Sequence, residues 1–267
     1  MKFGIRGLFI GALAVLGVVA GSSAAHADAP VAIYSFRSGS DGAFPVGNLV
    51  ADSAGNLFGV TNAGGISQNG VIFELSPPAG QSGSWTERVL YRFTGGADGA
   101  SPEAGLVMDS TGNIYGTTLA GGCLPNCSGT GYGTVFKLAP PAPGSKNWAF
   151  TTLYRFQPTS GVQDGAFPLA PLTLDGSGNL IGTTSEGGLY ANGYGVVFKL
   201  TPPASGSGPW METLLHVFTG YSDGVRPEAG VTFDRAGNLF GTTPLGGMFG
   251  RCCGTVFELS PSNTNRP

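Results

Sequence analysis

Hydrophobic and polar residues alternate with a period of two through much of this chain. In residues 133–138, GTVFKL, Val135 and Lys137 fall on one face and Phe136 and Leu138 on the other, which is the pattern of a β-strand. Pro140 and Pro141 stop that run. After them Trp148, Phe150, Thr152, Tyr154 and Phe156 alternate with Ala149, Thr151, Leu153 and Arg155, predicting a further, outermost strand. Upstream, residues 105–109 (GLVMD) and 114–118 (IYGTT) flank a Ser-Thr-Gly-Asn turn and read as a hairpin. The unit is therefore four short antiparallel strands. No segment after residue 27 holds a helical period free of Gly and Pro.

The unit recurs. DGAFPVGNLVADSAGNLFGVT from Asp41, DGASPEAGLVMDSTGNIYGTT from Asp98, DGAFPLAPLTLDGSGNLIGTT from Asp164 and DGVRPEAGVTFDRAGNLFGTT from Asp223 are four copies of one pattern. Stacked copies bury faces that one copy cannot bury alone. Four-stranded units repeated radially describe an all-β fold, a β-propeller of four blades; a solenoid is the competing architecture. The ends of the chain suggest closure. Residues 31–36 (VAIYSF) match the outer strand at residues 89–93 (VLYRF), and the last unit reaches only FELSP, residues 257–261, without a Trp-led strand. The N-terminal strand is expected to complete the fourth blade and so remove an exposed sheet edge. Trp85, Trp148 and Trp210 each follow Pro-Pro at seven residues and are expected to anchor the outer strands.

The spelling D-G-x-x-P, D-x-x-G-N-L-[FIY]-G-T-T, G-G, G-x-V-F-x-L and P-P before Trp resembles the Gloeo-Verruco (GloVer) tandem repeats of bacterial secreted proteins, over essentially the whole chain after the leader. The resemblance implies an extracytoplasmic β-propeller. Members often carry a separate C-terminal surface anchor, a pattern from which Asn263 to Pro267 depart.

Residues 1–27 have a basic start (Lys2, Arg6), an apolar run from Leu8 to Ala20 and a small-residue site at Ala25-His26-Ala27. These are the parts of a secretory signal peptide. The expectation is cleavage near Ala27, a single domain over residues 28–267, a secreted or periplasmic location, and no membrane span in the mature chain. Net charge is −3, with 11% charged residues and 47 Gly. Losing Lys2 and Arg6 makes it more negative still, which argues against nucleic-acid partners. In an oxidising compartment Cys123, Cys127, Cys252 and Cys253 are expected to form disulfides, Cys123 with Cys127 and Cys252 with Cys253. A four-thiolate zinc site is the alternative, but its spacing is poor.

The Asp-Gly starts are 57, 66 and 59 residues apart, and the slack falls in two loops. The loop from Gly-Gly to the strand-three Phe runs 8, 14, 10 and 10 residues, and the loop from the outer-strand Phe to Asp runs 5, 5, 8 and 5. In an up-and-down blade both emerge at one end, where length is free to vary and binding usually resides. Those loops carry Phe44, Tyr132, Phe167, Tyr190, Tyr194, Tyr221 and Phe249, candidate stacking platforms for a glycan or peptide. The alternative is that several of them cover the rim of the core.

The remaining chemistry is sparse. Asp52, Asp109, Asp175 and Asp234 precede x-x-Gly-Asn and read as turn caps. Asp41, Asp98, Asp164 and Asp223 read as caps of the inter-blade turn, with cation binding by four carboxylates around one axis as a weak alternative. His216 stands where other units have Tyr34, Tyr91 and Tyr154, so a Ser-His-Asp device is not expected. Glu103 and Glu228, in units two and four, are the acids a hydrolase would use. The favoured reading is a monomeric binding or scaffold module without cofactor; the second is a propeller hydrolase or lyase acting on a polysaccharide.

Overall fold

The computed structural model describes residues 29–80, 83–123, 131–158, 163–188, 193–206, 208–248 and 252–261. The expected signal peptide, Cys127, Tyr190 and Phe249 lie outside the described residues. Contacts divide the chain after Ala32, and the body from Ile33 onward carries every described strand.

That body is all β. Sheet one holds β1 (Ala43–Ala51), β2 (Leu57–Ala63), β3 (Val71–Ser76) and β4 (Thr86–Arg92) in that order. Sheet two holds β5 (Val107–Met108), β6 (Ile114–Thr118), β7 (Thr134–Ala139) and β8 (Ala149–Arg155). Sheet three runs β10 (Thr173–Leu174), β11 (Leu180–Thr184), β13 (Val196–Thr201), β14 (Met211–Val217), with a short ladder of β9 (Asp164–Ala166) on β12 (Glu186–Gly188) at its end. Sheet four has β15 (Thr232–Phe233), β16 (Leu239–Thr243) and β17 (Thr255–Leu259). All pairings among these strands are antiparallel between neighbours. The variable loops of each unit therefore share one end of the sheets, and the Asp-x-x-Gly-Asn and Pro-Pro turns share the other.

The alternation in GTVFKL suggests one apolar and one polar face, but Val135 and Phe136 are both fully buried, as are Ile72 and Val197 with Phe73 and Phe198. The third strands β3, β7 and β13 are covered on both sides, because one face meets its own neighbours and the other meets the adjacent unit. Phe93 meets Phe136, Phe156 meets Phe198 and Phe218 meets Phe257, at ring centroids 5.4, 5.2 and 5.3 Å apart. The strand-three Phe also explains the repeat glycine. Gly116 pairs with Phe136 and Gly182 with Phe198 across the ladder, where a methyl group would come within 2.5 and 2.6 Å of the ring.

Trp148 crosses between units to meet Phe58 at 5.6 Å, and Trp210 meets Tyr115 at 6.2 Å. Ile181 is the next residue in that series, and unit four has no Trp to cover it. A cavity of about 580 Å³ opens there, lined by Ile181, Leu214, Phe233, Leu239, Leu259 and Pro261.

The expected clasp is not made. Ile33 to Phe36 form no strand, and Tyr34 and Phe36 pack on Val71, Phe73 and Leu75 of sheet one. Among the described residues β17 remains the edge of a three-stranded sheet.

Trp148→Ala is expected to lower stability by about 2–4 kcal/mol, since the ring is half-buried on the core of sheets one and two and its loss leaves a void over Phe58. Chemical denaturation of the variant and parent measures the difference.

Candidate functional site

The Asp-x-x-Gly-Asn turns repeat to within a tenth of an ångström or two. Asp109 Oδ1 accepts from the backbone N–H groups of Thr111 and Asn113 at 2.9 Å each, and Oδ2 accepts from Asn113 Nδ2 at 2.8 Å. Asp52, Asp175 and Asp234 make the same set. Burial pushes the Asp109 and Asp175 carboxyls up, but donors led by Asn113 and Asn179 outweigh it and leave both below the usual range. These aspartates hold turns closed.

At the other end, the Asp-Gly aspartates are caps as well. Tyr34 Oη donates to Asp41 at 3.1 Å, Tyr91 Oη donates to Asp98 at 2.9 Å, and His216 Nε2 lies 3.2 Å from Asp223. Backbone N–H groups of Arg37, Thr94, Gln157 and Thr219 donate to the four carboxylates at 3.0, 2.8, 2.6 and 2.9 Å. His216 thus takes the place of the tyrosine in its sister units. Each carboxylate is held inside its own turn, and among the described residues no three His, Cys, Asp or Glu side chains are grouped to hold a metal ion.

Glu87 and Glu212 hold the same outer-strand place in units one and three, and each has a buried Oε1 with no hydrogen-bond partner. Tyr154 Oη donates to Glu212 Oε2 at 2.9 Å, whereas the residue at the Glu212 place in unit two is Phe150, stacked 3.7 Å from Tyr91. Glu212 Oε1 is buried with no hydrogen-bond partner. Burial first, then the neighbouring Asp164 carboxylate, pushes the Glu212 carboxyl up to about 8. Burial also raises Asp164, against the backbone donors of Gln157 and Gly165. Nothing in the sequence pattern singled out Glu212; the available signal was a Glu in an outer strand where a sister unit has Phe.

Among the described loop aromatics, Phe44 and Tyr221 are the exposed ones, at 71% and 72%. Tyr132 and Phe167 come together across units two and three, with ring centroids 5.7 Å apart and the Phe167 N–H donating to the Tyr132 carbonyl at 2.9 Å. Tyr132 and Tyr194 both pack partly against core clusters, so they sit on the rim of the core. The two candidate acids have separate partners: Asn62 Nδ2 donates to Glu103 at 2.9 Å, and Glu228 lies 3.8 Å from Arg226. The Cys252 and Cys253 sulfurs are 2.9 Å apart, beyond the roughly 2.05 Å of a disulfide, so the expected vicinal bridge is not formed. The Cys253 thiol donates to Cys252 instead. The cavity over Ile181 lies at the opposite end from the variable loops, beside Asp175 and Gly237.

The family model for the Gloeobacter/Verrucomicrobia repeat matches residues 22–130 and again 126–266. The chain belongs to this repeat family. The first match takes in sheet one with β5 and β6, and the second runs from β7 to β17. Comparison with curated proteins finds no match. Among the described residues of this Gloeobacter/Verrucomicrobia repeat protein no helix is long and apolar enough to cross a membrane.

The acid pair gives stability a pH dependence of unusual sign. Glu212 and Asp164 hold protons more tightly in the folded than in the unfolded chain, so their contribution is present at acid pH and is lost as pH rises through the folded value of Glu212, about 8. The parent should melt higher near pH 5 than near pH 8, and Glu212→Gln should flatten that slope. The lowered turn aspartates act in another window, their contribution being lost only as pH falls below the ordinary carboxylate range near 4. Thermal melts of both proteins across this range check the signs.

Proposed function

We propose that this protein is a secreted, propeller-like binding or scaffold module that works through the end of the sheets carrying the Asp-Gly and post-Gly-Gly loops. The observation that carries this reading is the pairing of capped, rigid loop bases with loops of differing length that present aromatic rings. Tyr221 is 72% exposed directly beside the capped Asp223, and the Tyr132–Phe167 pair bridges two units at the same end. Rigid aromatic surface of this kind gives contact area at low entropic cost and suits the face of a sugar or the side chains of a peptide. The hydrolase reading has no comparable support, since Glu103 and Glu228 are engaged by Asn62 and Arg226.

Screening the chain from Asp28 onward on a glycan array and a peptide library tests the reading. For any hit, Tyr221→Ala is expected to weaken binding by about 1–3 kcal/mol, while Ser53→Ala and Ser110→Ala in the opposite turns leave it unchanged. Loss confined to the turn variants would place the working surface at the other end.

A further inference from the structure

The contacts that join one sheet to the next are made three times over within the chain, and the two ends of the array carry the unmatched halves of a fourth set. The third-strand residues Ile72, Val135 and Val197 are fully buried and pair with Tyr91, Tyr154 and His216 of the outer strands. Val256 occupies the same place in β17 and is 80% exposed. Pro102, Pro168 and Pro227 are buried over Gly70, Gly133 and Gly195 of the preceding unit, where a methyl group would meet the ring at 2.8, 2.7 and 2.7 Å. Their counterparts at the ends are Pro45, which is exposed, and Gly254, where a methyl group would meet Thr243 and Pro244 of its own unit first. The backbone N–H groups of Ser101, Phe167 and Arg226, each at positive φ, donate at 2.9 Å to the carbonyls of Asn69, Tyr132 and Tyr194. Phe44 has the same positive φ, 55°, and is exposed, and the matching acceptor position is Cys253.

The N-terminal segment already makes the side-chain contacts of an outer strand, although it forms no strand. Tyr34 is tied to Asp41 as Tyr91 is to Asp98, and Phe36 meets Phe73 at 5.0 Å in the way that Phe93 meets Phe136. Phe36 nevertheless stays half-exposed, whereas Phe93, Phe156 and Phe218 are buried. One end is thus an outer strand without a sheet, and the other is a sheet without an outer strand. They are not paired within the chain.

We propose that a second copy of this chain completes the fourth sheet, its residues 33–36 adding antiparallel to β17 with Tyr34 opposite Val256 and Ser35 opposite Thr255. The register follows from the internal ladders, in which Ile72 faces Tyr91 and Val71 faces Arg92, and likewise Val135 faces Tyr154 and Thr134 faces Arg155. The same addition sets Pro45 of one copy over Gly254 of the other and brings the Phe44 N–H to the Cys253 carbonyl. This continues an interface that the chain already makes three times. A backbone ladder supplies the affinity. Because the two surfaces differ, the contact is head-to-tail and propagates. The association replaces the monomer expected from sequence, and it is independent of any loop ligand.

Sedimentation velocity of the chain from Asp28 onward should show mass rising with concentration, and Val256→Arg, at an exposed site, should weaken association by about tenfold or more. A parent that stays monomeric throughout overturns the proposal. Ser35→Cys with Thr255→Cys in one chain, with Cys252 and Cys253 changed to Ser, gives a second reading that does not depend on the arginine variant. A ladder of reducible multimers on a gel supports the proposal. A monomer locked by an internal bridge shows self-closure and overturns it, as does the absence of any cross-link.

Discussion

Burial of both faces of β3, β7 and β13 is the constraint on which this architecture depends. A strand such as β7 carries Val135 on one side and Phe136 on the other, and neither reaches solvent. A lone four-stranded sheet would leave one of those faces wet, at a cost of about 1.5–3 kcal/mol for each large side chain. The chain meets the constraint by repetition. Each outer strand sends a Phe onto the next unit's strand-three Phe, and the glycine opposite that Phe is kept bare so the ring can lie across the ladder.

The same junction shows two solutions to one packing problem. Between units one and two, Tyr91 stacks on Phe150. Between units two and three the equivalent tyrosine, Tyr154, donates to Glu212, which lies beside Asp164 with one oxygen unsatisfied. An apolar ring gains from desolvation at such a place, while a carboxylate loses hydration that one phenol cannot replace. That loss is why the acid keeps its proton far above the ordinary range.

The candidate site was legible in sequence to different depths. Turn chemistry is local, so the role of Asp52, Asp109, Asp175 and Asp234 could be read from Asp-x-x-Gly-Asn alone. The exposure of loop aromatics could not. Tyr194 and Tyr221 share a loop-rich composition, yet Tyr194 packs into the core rim beside Gly220 and Tyr221 points outward. Glu212 was invisible for the same reason: its neighbours Tyr154 and Asp164 are distant in sequence, and Tyr154 reaches it from the preceding unit.

The sequence by itself determined the strands, their order and the end at which length varies, because period-two alternation, Gly-Asn turns and Pro-Pro stops act over a few residues. Its fourfold spelling also required that the sheets stack. Whether the stack closes was a different matter. The match of residues 31–36 to an outer strand pointed to a ring, but closure depends on the rotation from one sheet to the next, set by how Trp148, Phe93 and Pro102 pack between units. No local pattern encodes the sum of three such rotations. Only the tertiary structure could leave Val256 exposed at a position that is buried in every other unit.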